Sequence, residues 1–354
     1  MPYLLKRILL VFPTLVAIIT VNFFIVQFVP GGPIDQVIAT LSGHGQGHIE
    51  HMTSGNQELL NGGDYHGLSA ENLLRLKKQF GFDKPAYVRY LDMLKSYALF
   101  DLGSSYYQEK SVMQLIIEKL PVSCSLGIWS TLLIYLISIP LGVRKATHHR
   151  SRFDVMTSVS IIILNSIPVF VLALVLITLF SGGYYLDIFP IDGLVSPNFQ
   201  SLSLPEKVID YLWHITMPVT CMVVTSLATL TFLTKNSFLE EINKQYVTTA
   251  YAKGLGTKQV LYRHVFRNAM LIVISGFPAS FIGMFFTGSL MVEIIFSLDG
   301  LGLLGFNAIN QLDYPVVFGT LYLFSLLGLV INILCDLVMT WVDPRIDLSK
   351  GTSA

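Results

Sequence analysis

Residues Tyr246 to Met270 read YVTTAYAKGLGTKQVLYRHVFRNAM, a polar and basic segment set between two long apolar runs. Among so many apolar runs it is the longest polar interruption on one side of a membrane. Its pattern predicts helix, glycine turn, helix. Small residues (Thr248, Thr249, Ala250, Ala252) fill the first helix and Gly254-Leu255-Gly256 makes the turn. Thr257 is expected to cap the second helix. A helix of small side chains lets another surface approach closely, with Ala250 expected to face that surface. A soluble partner docked there pushes on the spans to either side, which is the shape of a coupling element.

Composition points the same way. Of 354 residues, 53% are hydrophobic and only 13% charged, and the mean hydropathy is +0.61, far from an ordinary soluble protein. The formal net charge is zero, so no nucleic-acid partner is implied. Cys124, Cys221 and Cys335 lie inside separate apolar runs, so they read as buried small hydrophobes rather than a disulfide framework. The first apolar run, Ile8 to Val29, is preceded by Lys6-Arg7. It is too long for a signal-peptide core and lacks a small-residue cleavage site, so it reads as a retained span.

A hydrocarbon layer of about 30 Å needs roughly 20 apolar residues. Six runs meet that length: 8–29, 122–143, 155–181, 214–234, 271–295 and 316–340. Pro13, Pro140, Pro168, Pro218 and Pro278 fall within or near their ends, as membrane helices tolerate. With the N-terminus inside, the inner segments carry fourteen Lys and Arg, while the short outer loops 182–213 and 296–315 carry only Lys207. That asymmetry places both termini inside.

The outer segment 30–121 is organised. Residues 42–67 are rich in Gly and His and read as a solvated loop. Ser69 caps an expected helix over Ala70 to Phe80, and Pro85 starts a second, amphipathic one through Tyr87, Leu91, Leu94 and Leu99. His44, His48, His51 and His66 lie close together, but the glycines between them do not organise a metal site. Glu293, Asp336 and His214 lie at or near the ends of apolar runs. Intramembrane ionisable groups call for a functional reading; pairing with a neighbour is the simpler expectation, for Asp336 with a basic residue near the inner interface. Small residues Gly276, Ala279, Ser280, Gly283, Gly288 and Ser289 in the fifth run predict close helix contact. No Gly-x-x-x-x-Gly-Lys-Ser/Thr phosphate loop, nucleophile elbow or His-Glu-x-x-His motif occurs, so ATP is not bound here by that device and an intramembrane enzyme is poorly supported.

The residues Tyr246-Val247, Thr249-Ala250-Tyr251-Ala252-Lys253-Gly254 and His264-Val265-Phe266-Arg267-Asn268-Ala269 closely resemble the cytoplasmic loop of ABC-importer permeases of the dipeptide/oligopeptide branch. Tyr251 stands where that family usually has arginine. The resemblance covers nearly the whole chain: Pro30-Gly31-Gly32-Pro33, Phe80-Gly81-Phe82-Asp83-Lys84-Pro85, Asp101-Leu102-Gly103, Gly288 to Phe296, Gly300-Leu301-Gly302, Asn332 to Asp336 and Asp343-Pro344-Arg345. Leu298-Asp299 departs from the usual tryptophan-proline. Asp210 to Thr216 and Leu233 to Leu239 look most like the Yej-type peptide permeases.

This resemblance implies an all-α, type I ABC-importer permease fold: one membrane domain over 1–354, six transmembrane helices, a periplasmic insertion at 30–121 and a cytoplasmic coupling loop at 235–270. It implies a bacterial inner-membrane subunit importing oligopeptides, and peptide-nucleotides such as microcin C. ATPase contact is implied for Thr248, Thr249, Ala250, Tyr251, Ala252, Lys253 and Gly254. The implied partners are a second related permease forming a heterodimer, ATP-binding subunits, a periplasmic peptide-binding protein and membrane lipid, with no metal or cofactor on this chain and ATP and Mg on the ATPases. Two rivals remain: a nickel importer of the same family, resting on the His tract, and an ion-coupled secondary transporter. The latter calls for inverted repeats and mid-membrane carboxylates, neither of which is evident.

Overall fold

The computed structural model describes residues 2–28, 84–181, 185–283 and 290–342. The His tract at 44–66, the Pro30–Pro33 exit, the helix expected over Ala70 to Phe80, Gly288-Ser289 and Asp343-Pro344-Arg345 lie outside the described residues. Among the described residues the chain is helical, with one isolated bridge between Ser104 and Ser111 and no strand.

Among the described residues, four helices are long and apolar enough to cross a membrane: α1 (Pro2–Phe28), α3 (Val112–Thr147), α6 (Leu204–Ile242) and α12 (Tyr314–Val342). Between α1 and α3 lies α2 (Ala86–Ala98). At about 1.5 Å per residue, the 36 residues of α3 and the 39 of α6 reach well beyond an apolar layer. The expected span 155–181 is instead two helices, α4 (Arg152–Ser166) and α5 (Val169–Phe180), bent by 92°. Pro168 is the cause. A residue before proline is pushed out of the helical region, and Ile167 sits at φ −79 ψ 120. The run 271–295 is shared between α9 (Phe266–Gly283) and α10 (Leu290–Ile295), with 284–289 outside the described residues.

The chain forms two compact units. The first comprises 1–10, 115–307 and 324–354, and α6 is its hub: α3, α4, α5 and α9 all meet it. Small buried side chains line the α3–α6 seam. Ser130 and Ser138 are fully buried, as are Thr231 and Thr234 opposite. Ser138 Oγ donates to the Leu227 carbonyl at 3.3 Å. Gly142 marks the closest approach, since a Cβ there would lie 2.6 Å from Thr234 Cβ and 2.8 Å from the Thr231 carbonyl oxygen. By contrast an added Cβ on Gly276 or Gly283 meets nothing within 4 Å among the described residues. The close contact expected in the fifth run is therefore not made at those two glycines within this chain; it is made at the α3–α6 seam, which the sequence reading did not single out.

A buried ionic cluster joins α3, α4 and α6 near one end. Lys145, with no exposed surface, donates to the Asp154 carbonyl (2.9 Å), Thr157 Oγ1 (2.8 Å) and Ser158 Oγ (2.7 Å). The Asp154 carboxylate lies 3.1 Å from Lys145 Nζ and receives Lys235 Nζ at 2.7 Å. Counted as inner-face charges in the sequence, Lys145 and Lys235 are internal ties in the fold.

The second unit comprises 11–114 and 308–323. Helix α2 starts directly after Pro85, as expected. Its expected apolar stripe is turned, however: Tyr87 and Leu91 are exposed, while Tyr97 is buried. Tyr90 hydrogen-bonds Thr20 Oγ1 at 2.8 Å and packs edge-on to Phe23, and Tyr97 packs edge-on to Tyr322. The amphiphilic tyrosines hold this helix because each offers a ring to pack and a hydroxyl to pair. Asp313, buried between α11 (Leu301–Gln311) and α12, accepts from Ser105 Oγ and from the Tyr106 N–H (3.2 Å). Burial raises its carboxyl pKa despite these hydrogen bonds.

Candidate functional site

The segment quoted at the outset folds as a short helix, a turn and a second helix. α6 runs on past its apolar stretch to Ile242, and α7 (Gln245–Ala252) follows after two residues. α8 (Thr257–Val260) leads through a π-helical turn, Leu261–Val265, into α9. Such turns are frequent where a helix is adapted to a task.

The end of α7 has the two reciprocal hydrogen bonds of a Schellman cap. Gly254 N–H donates to the Tyr251 carbonyl (2.9 Å) and Leu255 N–H to the Ala250 carbonyl (3.3 Å). Gly254 takes φ +82, the left-handed conformation a branched side chain resists. The start of α8 differs from expectation. Gly256, in extended backbone, is its N-cap without a side-chain bond, and Thr257 is the first helical residue.

Helix α7 is one-sided. Val247 and Ala250, three residues apart, are buried in the main apolar core, while Thr248, Thr249, Tyr251, Ala252, Lys253 and Gly254 are exposed. Ala250 therefore faces inward rather than towards a docked surface. The reason is helical spacing: with Val247 anchored, Ala250 falls on the same face. Tyr251, standing where the resembling loops have arginine, is 45% exposed and offers an aromatic ring in place of a charge.

Several ties fix the segment to the bundle. Asn268 Nδ2 donates to Tyr246 Oη at 3.3 Å, closing its two ends on each other. Burial raises the Tyr246 hydroxyl pKa, and the Asn268 bond partly offsets it. Ser237 Oγ donates to the Ala269 carbonyl (2.7 Å), and Phe238 meets Phe266 edge-on. Arg267 Nε caps the Val342 carbonyl at 2.6 Å. Lys244 lies 2.7 Å from Glu241, and that hydrogen bond raises the ammonium pKa above its ordinary value. A force applied to the exposed face of α7 thus reaches α6, α9 and the end of α12 through short polar and apolar contacts.

The ionisable residues noted in the apolar runs all have partners. Asp336 pairs with Arg7 Nη1 at 2.9 Å, as expected of a residue near the inner interface. Glu293, fully buried, accepts from Ser123 Oγ (3.2 Å) and from the Leu303 N–H (2.7 Å). A Cβ on Gly300 would overlap its carboxylate, so glycine there leaves the space the carboxylate fills. His214 Nδ1 meets the Asp210 carbonyl at 2.8 Å. No group of three metal-binding side chains forms among the described residues.

Long apolar helices, a small-residue seam and a short helix with one exposed polar face between two of them define a multi-span membrane protein. The chain belongs to the family of binding-protein-dependent transport system inner membrane components, whose model matches residues 138–348. It is 54% identical to the inner membrane ABC transporter permease protein YejB of Escherichia coli O157:H7, with 98% of each chain covered. It is 51% identical to the peptidoglycan transport system permease protein YejB of Agrobacterium fabrum, again with 98% of each covered. The oligopeptide transport system permease protein AppB of Bacillus subtilis is 30% identical, covering 98% of this chain and 99% of that one. Membership of this family sets aside the ion-coupled secondary transporter.

Proposed function

We propose that the chain is a permease subunit of an ATP-driven inner-membrane importer of oligopeptides, forming half of the translocation pathway beside a second, related permease. The observation that carries this reading is full-length similarity above 50% to two Yej-type permeases, with the more distant relative named for oligopeptide transport. Since the Agrobacterium relative is named for peptidoglycan transport, peptides bearing cell-wall sugars form a second cargo class. The nickel reading is not carried forward.

In this reading the exposed face of α7, Thr248 to Gly254, seats in a groove on an ATPase subunit. ATP and Mg are held by that subunit, and a soluble binding protein delivers the cargo. Both termini lie in the cytoplasm, by the fourteen-to-one distribution of Lys and Arg.

A deletion strain given trialanine, a peptidoglycan-derived tripeptide, microcin C and nickel tests the cargo. Loss of uptake of the peptide-bearing compounds, restored by this gene, is expected. Unchanged peptide uptake with lost nickel uptake would overturn the reading. A cysteine at Ser196 is expected to react with an impermeant reagent from outside and one at Lys258 only from inside; labelling of Lys258 in intact spheroplasts refutes the orientation.

A further inference from the structure

The turn joining α3 to α4, within the first unit, carries a surplus of positive charge. Residues 144–154 hold Arg144, Lys145, Arg150 and Arg152 against one carboxylate, Asp154. Lys235 of α6 reaches the same carboxylate at 2.7 Å. Lys145 and Lys235 thus share a single counter-charge, and one positive charge of the pair is left over. On the surface, Arg144, Arg150 and Arg152 are exposed, and none has a carboxylate partner among the described residues. His148 is exposed beside them, and His149 Nδ1 lies 3.5 Å from Asp154.

The buried cluster and one ring hold this turn in place. The Arg144 guanidinium lies 4.8 Å from the centre of the Phe153 ring. Arg150 takes φ +61, and its N–H donates to the Asp154 carboxylate at 3.1 Å. The exposed cations are therefore carried on a backbone that the ionic cluster anchors.

The second observation is apolar. Val155, Met156, Val159, Ile162 and Ile163 of α4 are each more than half exposed. Their spacing puts them on one helical stripe, and Arg152, three and four positions before Val155 and Met156, heads it. An apolar stripe that ends in arginines matches a molecule with an anionic head and an apolar tail. A free anion would leave the stripe uncovered, and a second apolar helix would leave the arginines without a counter-charge.

We propose that this surface binds an anionic phospholipid, with the phosphate on Arg144, Arg150 and Arg152 and an acyl chain along the stripe of α4. The proposal goes beyond the importer reading and is independent of the cargo.

The test uses the whole importer, native cysteines replaced, in phosphatidylcholine nanodiscs with about 10 mol% of a lipid carrying brominated acyl chains. A bimane label on Met156→Cys reports nearby bromine by quenching. Brominated phosphatidylglycerol is expected to quench about threefold more than brominated phosphatidylcholine at the same mole fraction. Salt at about 1 M, where the screening length is about 3 Å, is expected to remove most of that excess without any substitution. In Arg144→Gln/Arg150→Gln/Arg152→Gln the two lipids should quench alike. They should also quench alike at Ile128→Cys, an exposed position of α3 about 24 Å before Arg144 along the helix. Equal quenching by the two lipids at Met156→Cys would overturn the proposal. So would an excess that survives in the triple variant or appears equally at Ile128→Cys. Absence of quenching by either lipid at Met156→Cys also overturns it, by giving the stripe to a partner subunit.

Discussion

Replacing Gly142 by alanine tests the α3–α6 seam in its most direct form. The added carbon would lie 2.6 Å from Thr234 Cβ and 2.8 Å from the Thr231 carbonyl oxygen. Ordinary carbon contacts are about 3.5–4.0 Å, so the two helices must part locally by about 1 Å. One obstacle is backbone, which no rotamer change removes. Overpacking of this kind costs about 1–3 kcal/mol; at about 2 kcal/mol the folded-to-unfolded ratio drops roughly thirtyfold. The assay is thermal unfolding of the purified importer, followed by reaction of buried Cys221 with a fluorogenic maleimide. A fall of roughly 3 °C in the midpoint is expected. Gly276→Ala is the control: nothing among the described residues lies within 4 Å of its added carbon, and alanine is the better helix former by about 1 kcal/mol. Its midpoint stays level or rises. Equal midpoints for Gly142→Ala and the parent, or equal falls in both variants, refute the packing argument.

Three further outcomes are expected. Gly254→Val strains a residue at φ +82, and Thr248→Arg alters the exposed face of α7. Both lower substrate-stimulated ATP hydrolysis and uptake while the permease still inserts, whereas Ala250→Glu, which buries a charge, lowers the unfolding midpoint as well; full uptake in Gly254→Val and Thr248→Arg, with the ATPase still retained on pull-down, dismisses the coupling assignment. Asp154→Ala leaves the wholly buried Lys145 ammonium without its counter-charge and costs about 3 kcal/mol, most of which Asp154→Ala/Lys145→Met recovers; equal stability of the single and double variants speaks against it. Because Asp313 has a raised pKa when folded, its stabilising share is full below its unfolded pKa and is lost as pH rises through the folded one. The midpoint of the parent should therefore decline over that interval more than that of Asp313→Asn, and parallel profiles would count against it.

Hydropathy alone determined that this is a membrane protein and roughly where its apolar runs lie, because burying some 20 consecutive apolar residues is a local requirement that each run states for itself. The glycine at 254 was legible for the same reason: a helix stop with positive φ is a property of one residue and its neighbours. What the chain does with these runs needed the tertiary structure. The sequence shows Pro168 but not that α4 and α5 turn through 92° there, since a proline in a membrane helix can bend it slightly or break it. Lys145, Asp154 and Lys235 are up to ninety positions apart in sequence, and only the crossing of α3, α4 and α6 makes them one buried cluster. Helix rotation was equally hidden. α2 and α7 each carry small or apolar residues on more than one side, so the packed faces, Tyr90 and Tyr97 in one and Val247 and Ala250 in the other, were chosen by what lies against them. Small residues in the fifth run and at the α3–α6 seam look alike in one dimension; of Gly142, Gly276 and Gly283, Gly142 alone meets a described neighbour close enough to need the missing side chain.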